Sequence, residues 1–243
     1  MAAIQVHGLR KAYGEVEAVR GIDFEVAEGE CFALLGPNGA GKTTTVEILE
    51  GYRDRDGGEV EVLGHDPRRG ERSLRERVGI VLQSSGQFRE LTVREVLDLF
   101  GGYYPSPRDS GEVIDLVGLG DKAGARVKTL SGGQQRRLDL ALGLVGDPDL
   151  LFLDEPTTGF DPSARRRSWE LIESLRDLGK TILLTTHYMD EAQNLADRVA
   201  IITAGRIAAS GTPGSLGGRD EGEAVVAFRL PPGTALADLP GGL

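Results

Sequence analysis

Two kinds of hydrophobic pattern divide this chain. Over the first 80 residues apolar positions alternate with polar ones, at Ile4 and Val6, at Ile22, Phe24 and Val26, and at Val60 and Val62. That period of two predicts half-buried antiparallel strands. Later runs differ. Residues 78–82, 150–153, 182–184 and 199–202 are continuously apolar, the pattern of parallel strands covered on both faces. Helical spacing lies between these runs, so the chain reads as α/β.

Residues 84 to about 145 read as a helical insertion. Thr92-Val-Arg-Glu95 is a capping box, in which each side chain satisfies an orphan backbone donor. Val93, Val96, Leu97 and Phe100 then follow at helical spacing. Val113, Ile114 and Val117 form a second, shorter stripe. A third helix is predicted from just after Leu130 through Leu138, Ala141, Leu142 and Val145. Beyond Gly211 the chain turns rich in Gly and Pro apart from one strand-like run at 224–230. The organisation expected is one domain over 1–215 and a tail over 216–243, either flexible or the start of a small β extension.

Charge narrows the partners. The 243 residues carry a formal net charge of −10, which argues against a general nucleic-acid binder and against direct adsorption to anionic lipid. A single cysteine, Cys31, and three histidines leave no disulfide framework and no multi-cysteine zinc site. Cys31 itself reads as a small buried residue. The longest apolar runs are four or five residues, far short of a spanning helix. The first residues lack a basic segment followed by an apolar one, so no signal peptide is read. A cytoplasmic location is expected.

Gly36-Pro37-Asn38-Gly39-Ala40-Gly41-Lys42-Thr43 satisfies G-x-x-x-x-G-K-[ST]. It follows the apolar run 32–35 and precedes a helical pattern containing Val46, Ile48 and Leu49, the context this motif requires. Glycines let the backbone curl so that successive N–H groups face phosphate oxygens. The helix behind adds its positive end. Lys42 supplies a charge for the β- and γ-phosphates, and the Thr43 hydroxyl can ligate Mg²⁺. Together these predict nucleotide binding.

The run at 150–153 ends in Asp154-Glu155. Alternation along a strand sends two adjacent side chains to different sides of the sheet rim. Asp154 is then the expected Mg²⁺ partner through water. Glu155 is the candidate general base, placed to polarise an attacking water.

Leu130-Ser131-Gly132-Gly133-Gln134 puts a hydroxyl and two glycines at a helix start. Alone, it reads first as a helix N-cap, with a second anion site as the alternative. One nucleotide has one set of phosphates, so a second site makes sense in a head-to-tail dimer.

Taken together, residues 3–215 resemble the ATP-binding subunit of ABC transporters, for which LSGGQ is the signature. The resemblance implies a P-loop NTPase core with a largely parallel sheet, an N-terminal antiparallel β subdomain and an inserted α-helical subdomain. It implies Tyr13 stacking on adenine, residues 36–43 with Thr44 around the phosphates, and Ser131, Gly132, Gly133 and Gln134 meeting the nucleotide of the opposite chain. It assigns Gln83 to sensing Mg²⁺ and the γ-phosphate, so the metal set becomes Thr43, Gln83 and Asp154. His187 resembles the histidine that contacts the γ-phosphate, beside Glu155, Gln83 and Lys42 in the catalytic set. Asp161 resembles the carboxylate that touches the opposite chain, and it is also a good N-cap with Pro162 at the first helical position. Phe160 stands where the family usually has Leu. The cofactors implied are ATP and Mg²⁺.

A finer resemblance points to export. Gln135-Arg-Arg-Leu-Asp-Leu-Ala141 and Thr186-His-Tyr-Met-Asp-Glu-Ala192 are similar to bacterial drug and antibiotic exporters, whose ATPases pair with a separate membrane permease. The same phrases occur in exporters of lipids and polysaccharides. The resemblance implies two ATPase chains, identical or different, held at the inner face of the membrane by the permease. The rival reading is a soluble member of the family with a regulatory, translation-linked or DNA-repair role. Such proteins join two ATPase cores or carry coiled-coil or zinc insertions, and none of these is visible. Arg165-Arg166-Arg167, near a helix start, reads as surface, as does the basic cluster 68–77 with its interspersed glutamates. Trp169 reads as packing on its helix.

Overall fold

In the computed structural model, residues 1–81 and 88–216 are described. Strands β1 (Ala2–Tyr13) and β2 (Val16–Ala27) form a long hairpin, followed by β3 (Cys31–Leu35), helix α1 (Lys42–Leu49) and β4 (Gly57–Val62). The short helix α2 (Arg72–Arg75) leads into β5 (Val78–Val81). Helices α3 (Val93–Gly101), α4 (Ser110–Leu116) and α5 (Gly132–Leu144) come next. Then β6 (Leu150–Asp154), α6 (Pro162–Asp177), β7 (Thr181–Thr186), α7 (Met189–Leu195), β8 (Arg198–Thr203), β9 (Arg206–Gly211) and α8 (Pro213–Leu216) complete the described chain.

The strands form two sheets. One is antiparallel, in the order β2-β1-β4, with Val6 opposite both Phe24 and Val60. The other runs β5-β6-β7-β3-β8-β9, parallel through β8 with β9 antiparallel at its edge. The fold is therefore α/β, with an antiparallel N-terminal sheet beside a mostly parallel one.

Alternation inside the continuous apolar runs explains why both faces of the large sheet are covered. Phe32, Leu34, Leu150, Phe152, Leu183, Ala200 and Ile202 point into a core shared with the antiparallel sheet and α1. Their neighbours Cys31, Ala33, Leu151, Leu153, Ile182, Leu184 and Val199 point into a second core built with the helices. A strand with period two and no polar positions has two dry faces. Cys31 is fully buried, and burial pushes its thiol up to about 12, with Asp197 adding. An inert packing role follows.

The helices take the predicted patterns. Thr92 caps α3 in a reciprocal box with Glu95, and Val93, Val96 and Leu97 face the core. α5 runs close against β5. A Cβ on Gly79 would collide with the Gly143 carbonyl oxygen, so glycine is what permits this backbone approach. Gln83 and the strand-like run at 224–230 lie outside the described residues. Among those described, no helix is long and apolar enough to cross a membrane.

Candidate active site

The loop after β3 is built by its glycines. Gly36 N–H donates to the Thr186 carbonyl at 3.1 Å, which docks the loop start on the end of β7. Gly39 and Gly41 have φ of 78° and 108°, conformations that glycine adopts without penalty. A Cβ on Gly41 would lie 2.5 Å from the Ala18 carbonyl oxygen. Gly41 also serves as N-cap of α1 and has no side chain to offer, and the first turn contains no acidic residue. The opening N–H groups of α1, at Lys42, Thr43 and Thr44, thus have no side-chain acceptor of their own. This suits an incoming anion.

Lys42 is 4% exposed. Its Nζ donates to the carbonyls of Gly36 at 2.8 Å and Pro37 at 3.3 Å, and lies 3.5 Å from Glu155 Oε1. Thr43 is exposed on the first turn, and Pro37, Asn38 and Gly39 form the open lip of the loop.

At the rim of β6, Asp154 accepts a short hydrogen bond from the Thr185 hydroxyl. Glu155 is not a further strand residue. It has φ 47°, a left-handed conformation unusual for a side chain of this size. The two carboxylates therefore part because the chain turns sharply at Glu155, not through strand alternation as the sequence suggested. The Glu155 N–H is anchored on Thr185 at 3.1 Å, to both its carbonyl and its hydroxyl. Its carboxylate accepts from Thr158 Oγ1 at 3.0 Å and faces His187 Nδ1 at 3.2 Å. Burial raises the pKa of Glu155, but hydrogen bonds from Thr158 and His187, with the nearby His187 and Lys42, outweigh it. The net effect holds the carboxyl below its ordinary range. An ionised carboxylate results, which is the form a base needs.

Lys42, Glu155 and His187 thus converge, with Asp154 beside them through Thr185. Other sequence-derived candidates stand apart. Tyr13 is 42% exposed at the end of β1, with the Arg53 guanidinium 5.2 Å and Lys11 Nζ 5.7 Å from its ring centroid. Arg53 is itself held at 2.6 Å by Glu47 of α1. Ser131 caps α5, its Oγ accepting from Gln134 N–H at 3.3 Å while Gln134 Oε1 accepts from Ser131 N–H at 2.9 Å. The helix-cap reading of the pentapeptide is realised within one chain, and the Ser131 N–H is engaged rather than free. Gly132 and Gly133 have open space where a Cβ would be. Asp161 caps α6 through the N–H groups of Ser163 and Ala164, and these hydrogen bonds hold its carboxyl below the usual range.

Two arginines escaped sequence reasoning. Arg136 on α5 is buried and donates to the backbone carbonyls of Asp154 and Pro156, each at 3.2 Å. It ties the LSGGQ helix to the Asp154–Glu155 turn. A charged residue on the otherwise buried side of α5 was the available signal. Arg165 is half-buried, not a surface member of the Arg165–Arg167 run.

Among the described residues no group of three or more His, Cys, Asp or Glu could hold a metal alone. Mg²⁺ keeps waters and takes one or two protein oxygens plus phosphate. The Thr43 hydroxyl and the Asp154 carboxylate are oxygen donors of the right kind.

Residues 19–158 match the ABC transporter family. Nod factor export ATP-binding protein I of Paraburkholderia xenovorans is 46% identical over 242 residues, covering 98% of this chain and 80% of that protein. The daunorubicin/doxorubicin resistance ATP-binding protein DrrA of Streptomyces peucetius is 46% identical over 219 residues, 88% of this chain and 66% of its own. Among solved structures, cbiO1 of Clostridium perfringens, part of an ABC transporter complex, superimposes with a TM-score of 0.81 at 28% identity. It covers 90% of this chain and 91% of that one. The chain belongs to the ABC transporter family, and within it to the ATP-binding proteins.

Proposed function

We propose that this chain binds and hydrolyses Mg-ATP to drive export of a small molecule through a separate membrane permease. The observation that carries the catalytic part is the meeting of Lys42, Glu155 and His187 beside a glycine-curled helix start.

In this reading the loop N–H groups of residues 38–44 and Lys42 Nζ hold the β- and γ-phosphates, and Tyr13 stacks on adenine. Thr43, Asp154 and Gln83 would hold Mg²⁺, which would supply charge neutralisation of the phosphates. Glu155, kept ionised, orients a water for attack on the γ-phosphorus and takes its proton. His187, hydrogen-bonded to Glu155, keeps the carboxylate aimed and contacts the γ-phosphate. Electrostatic placement of this kind supplies most of the catalysis in phosphoryl transfer.

Ser131, Gly132 and Gly133 meet the nucleotide of a second chain, with Asp161 at the same interface. The open space around both glycines supports this, since nothing among the described residues requires a missing Cβ there. Contacts to the γ-phosphate across the interface make ATP, and not ADP, the closing ligand. The two chains are identical in the simplest form, and the helical insertion faces the permease at the inner side of the membrane. Export is supported by the relatives named for Nod factor export and for daunorubicin resistance.

Affinity purification of the tagged chain from solubilised source-cell membranes tests this. A stoichiometric polytopic partner that stimulates ATP turnover is expected. Turnover without any membrane partner would move the chain to a non-transport role in the same family.

A further inference from the structure

Of the three arginines at 165–167, only the first turns inward. Arg165 lies on α6, one turn beyond the N-cap Asp161, whose carbonyl accepts its N–H at 3.0 Å. Its guanidinium carbon is 4.4 Å from the centre of the Tyr188 ring. Nη1 donates to Asp190 Oδ2 at 3.0 Å, while Nε is buried with no acceptor among the described residues. A guanidinium with an unmatched buried donor is a poor device for stability alone.

The Tyr188 ring leads to the site. Its centroid is 4.0 Å from that of His187, with the planes tilted by 39°. His187 has Glu155 as its hydrogen-bond partner, at 3.2 Å. The imidazole is thus fixed by one polar contact to Glu155 and one ring contact to Tyr188. A second tie runs alongside, where Thr157 Oγ1 donates to the buried carboxylate of Glu191 at 2.8 Å. It joins the segment after Glu155 to α7, so the backbone around His187 is braced while its side chain depends on Tyr188.

We propose that Arg165 and Tyr188 are positioning residues for His187. Arg165 clamps Tyr188, and Tyr188 holds the imidazole against Glu155. Because Arg165 stands one turn from Asp161, the clamp also couples the pose of His187 to the start of α6. The role in turnover rests on reading Glu155 and His187 as parts of an ATP-hydrolysing site. The pose itself can be measured without turnover.

The experiment compares R165A, R165K and Y188L with R166A, a change at an exposed neighbour. The first readout is the His187 Hε1 resonance, one of three histidine signals and assigned by its loss in His187→Gln. It moves in R165A and Y188L, as the ring current of Tyr188 is withdrawn, and stays in R166A. The second readout is steady-state ATP hydrolysis. R165A lowers kcat about tenfold at unchanged KM, below the roughly hundredfold that a 1 Å misplacement of a catalytic group can cost. R165K recovers most of that loss, and R165A adds nothing in a His187→Gln background. An unmoved resonance, an unchanged kcat, or additive losses with His187→Gln would overturn the proposal. Should R165A fail to fold, Y188L puts the same question from the other side of the clamp. A wild-type protein that hydrolyses no ATP would sink the functional reading instead, and the resonance would still decide the positioning.

Discussion

Lys42 Nζ stands 3.5 Å from Glu155 Oε1, with side chains 4% and 13% exposed. The cation at the start of α1 and the carboxylate at the end of β6 therefore share one poorly hydrated space, where each strengthens the field felt by the other. Removing the cation strips phosphate of its charge partner and leaves Glu155 uncompensated. Lys42→Ala is expected to lower ATP turnover by about 10²-fold or more, measured as phosphate release. Wild-type turnover in this variant would refute the site.

Glu155→Gln keeps the shape of the side chain and its contact with Thr158 but removes the base. Turnover should fall by roughly 10²–10⁴-fold, while ATP still brings two chains together. Light scattering on a sizing column in saturating Mg-ATP should then show a stable dimer. A persistent monomer would sink the head-to-tail arrangement.

Glu50, at the end of α1, lines a cleft of about 500 Å³ with Tyr52, Phe100 and Tyr104. Burial pushes its carboxyl up to about 8 from an ordinary 4.5, with Asp154 and Glu47 adding. The folded chain then holds a proton that the unfolded chain releases, so stability declines as pH rises from 4.5 through about 8. Glu50→Gln abolishes that decline. Thermal melts of nucleotide-free protein should show the variant gaining on wild type toward pH 8, and the two converging near pH 4.5. Parallel curves across that window would refute the buried-acid assignment.

Gly79 has no space for a methyl group, since the Gly143 carbonyl of α5 occupies it. Gly79→Ala must push α5 from β5, at a cost of about 1–3 kcal/mol or more. Arg136 rides on α5 and grips the carbonyls of Asp154 and Pro156, so the displacement should reach the site. A lowered Tm together with lowered turnover is expected. Loss of Tm alone would show that the Arg136 tie does not transmit it.

Local patterns were legible because the chemistry that sets them is local. The capping boxes at Thr92 and Ser131 and the Asp161 cap involve partners two or three residues apart. The phosphate loop is likewise one continuous segment, and its need for glycine shows in the φ of Gly39 and Gly41. The continuous apolar runs announced a sheet covered twice. A run of three arginines has the pattern of a solvated face, and only packing against Tyr188 distinguishes Arg165 from the other two. Strand alternation predicts the parting of Asp154 and Glu155, but the left-handed turn at Glu155 causes it.

By itself, then, the sequence determined the α/β class, the loop that can curl around phosphate, the helix starts and the family. Each is written in residue types at short spacing. Only the tertiary structure decided that Lys42, Glu155 and His187 meet, that Arg136 bridges α5 to the β6 rim, and that Arg165 reaches His187 through Tyr188. Those contacts join segments far apart in the chain. Parallel pairing of β3, β6 and β7 brings their ends to one edge of the sheet, and no local propensity specifies which distant side chains will face one another there.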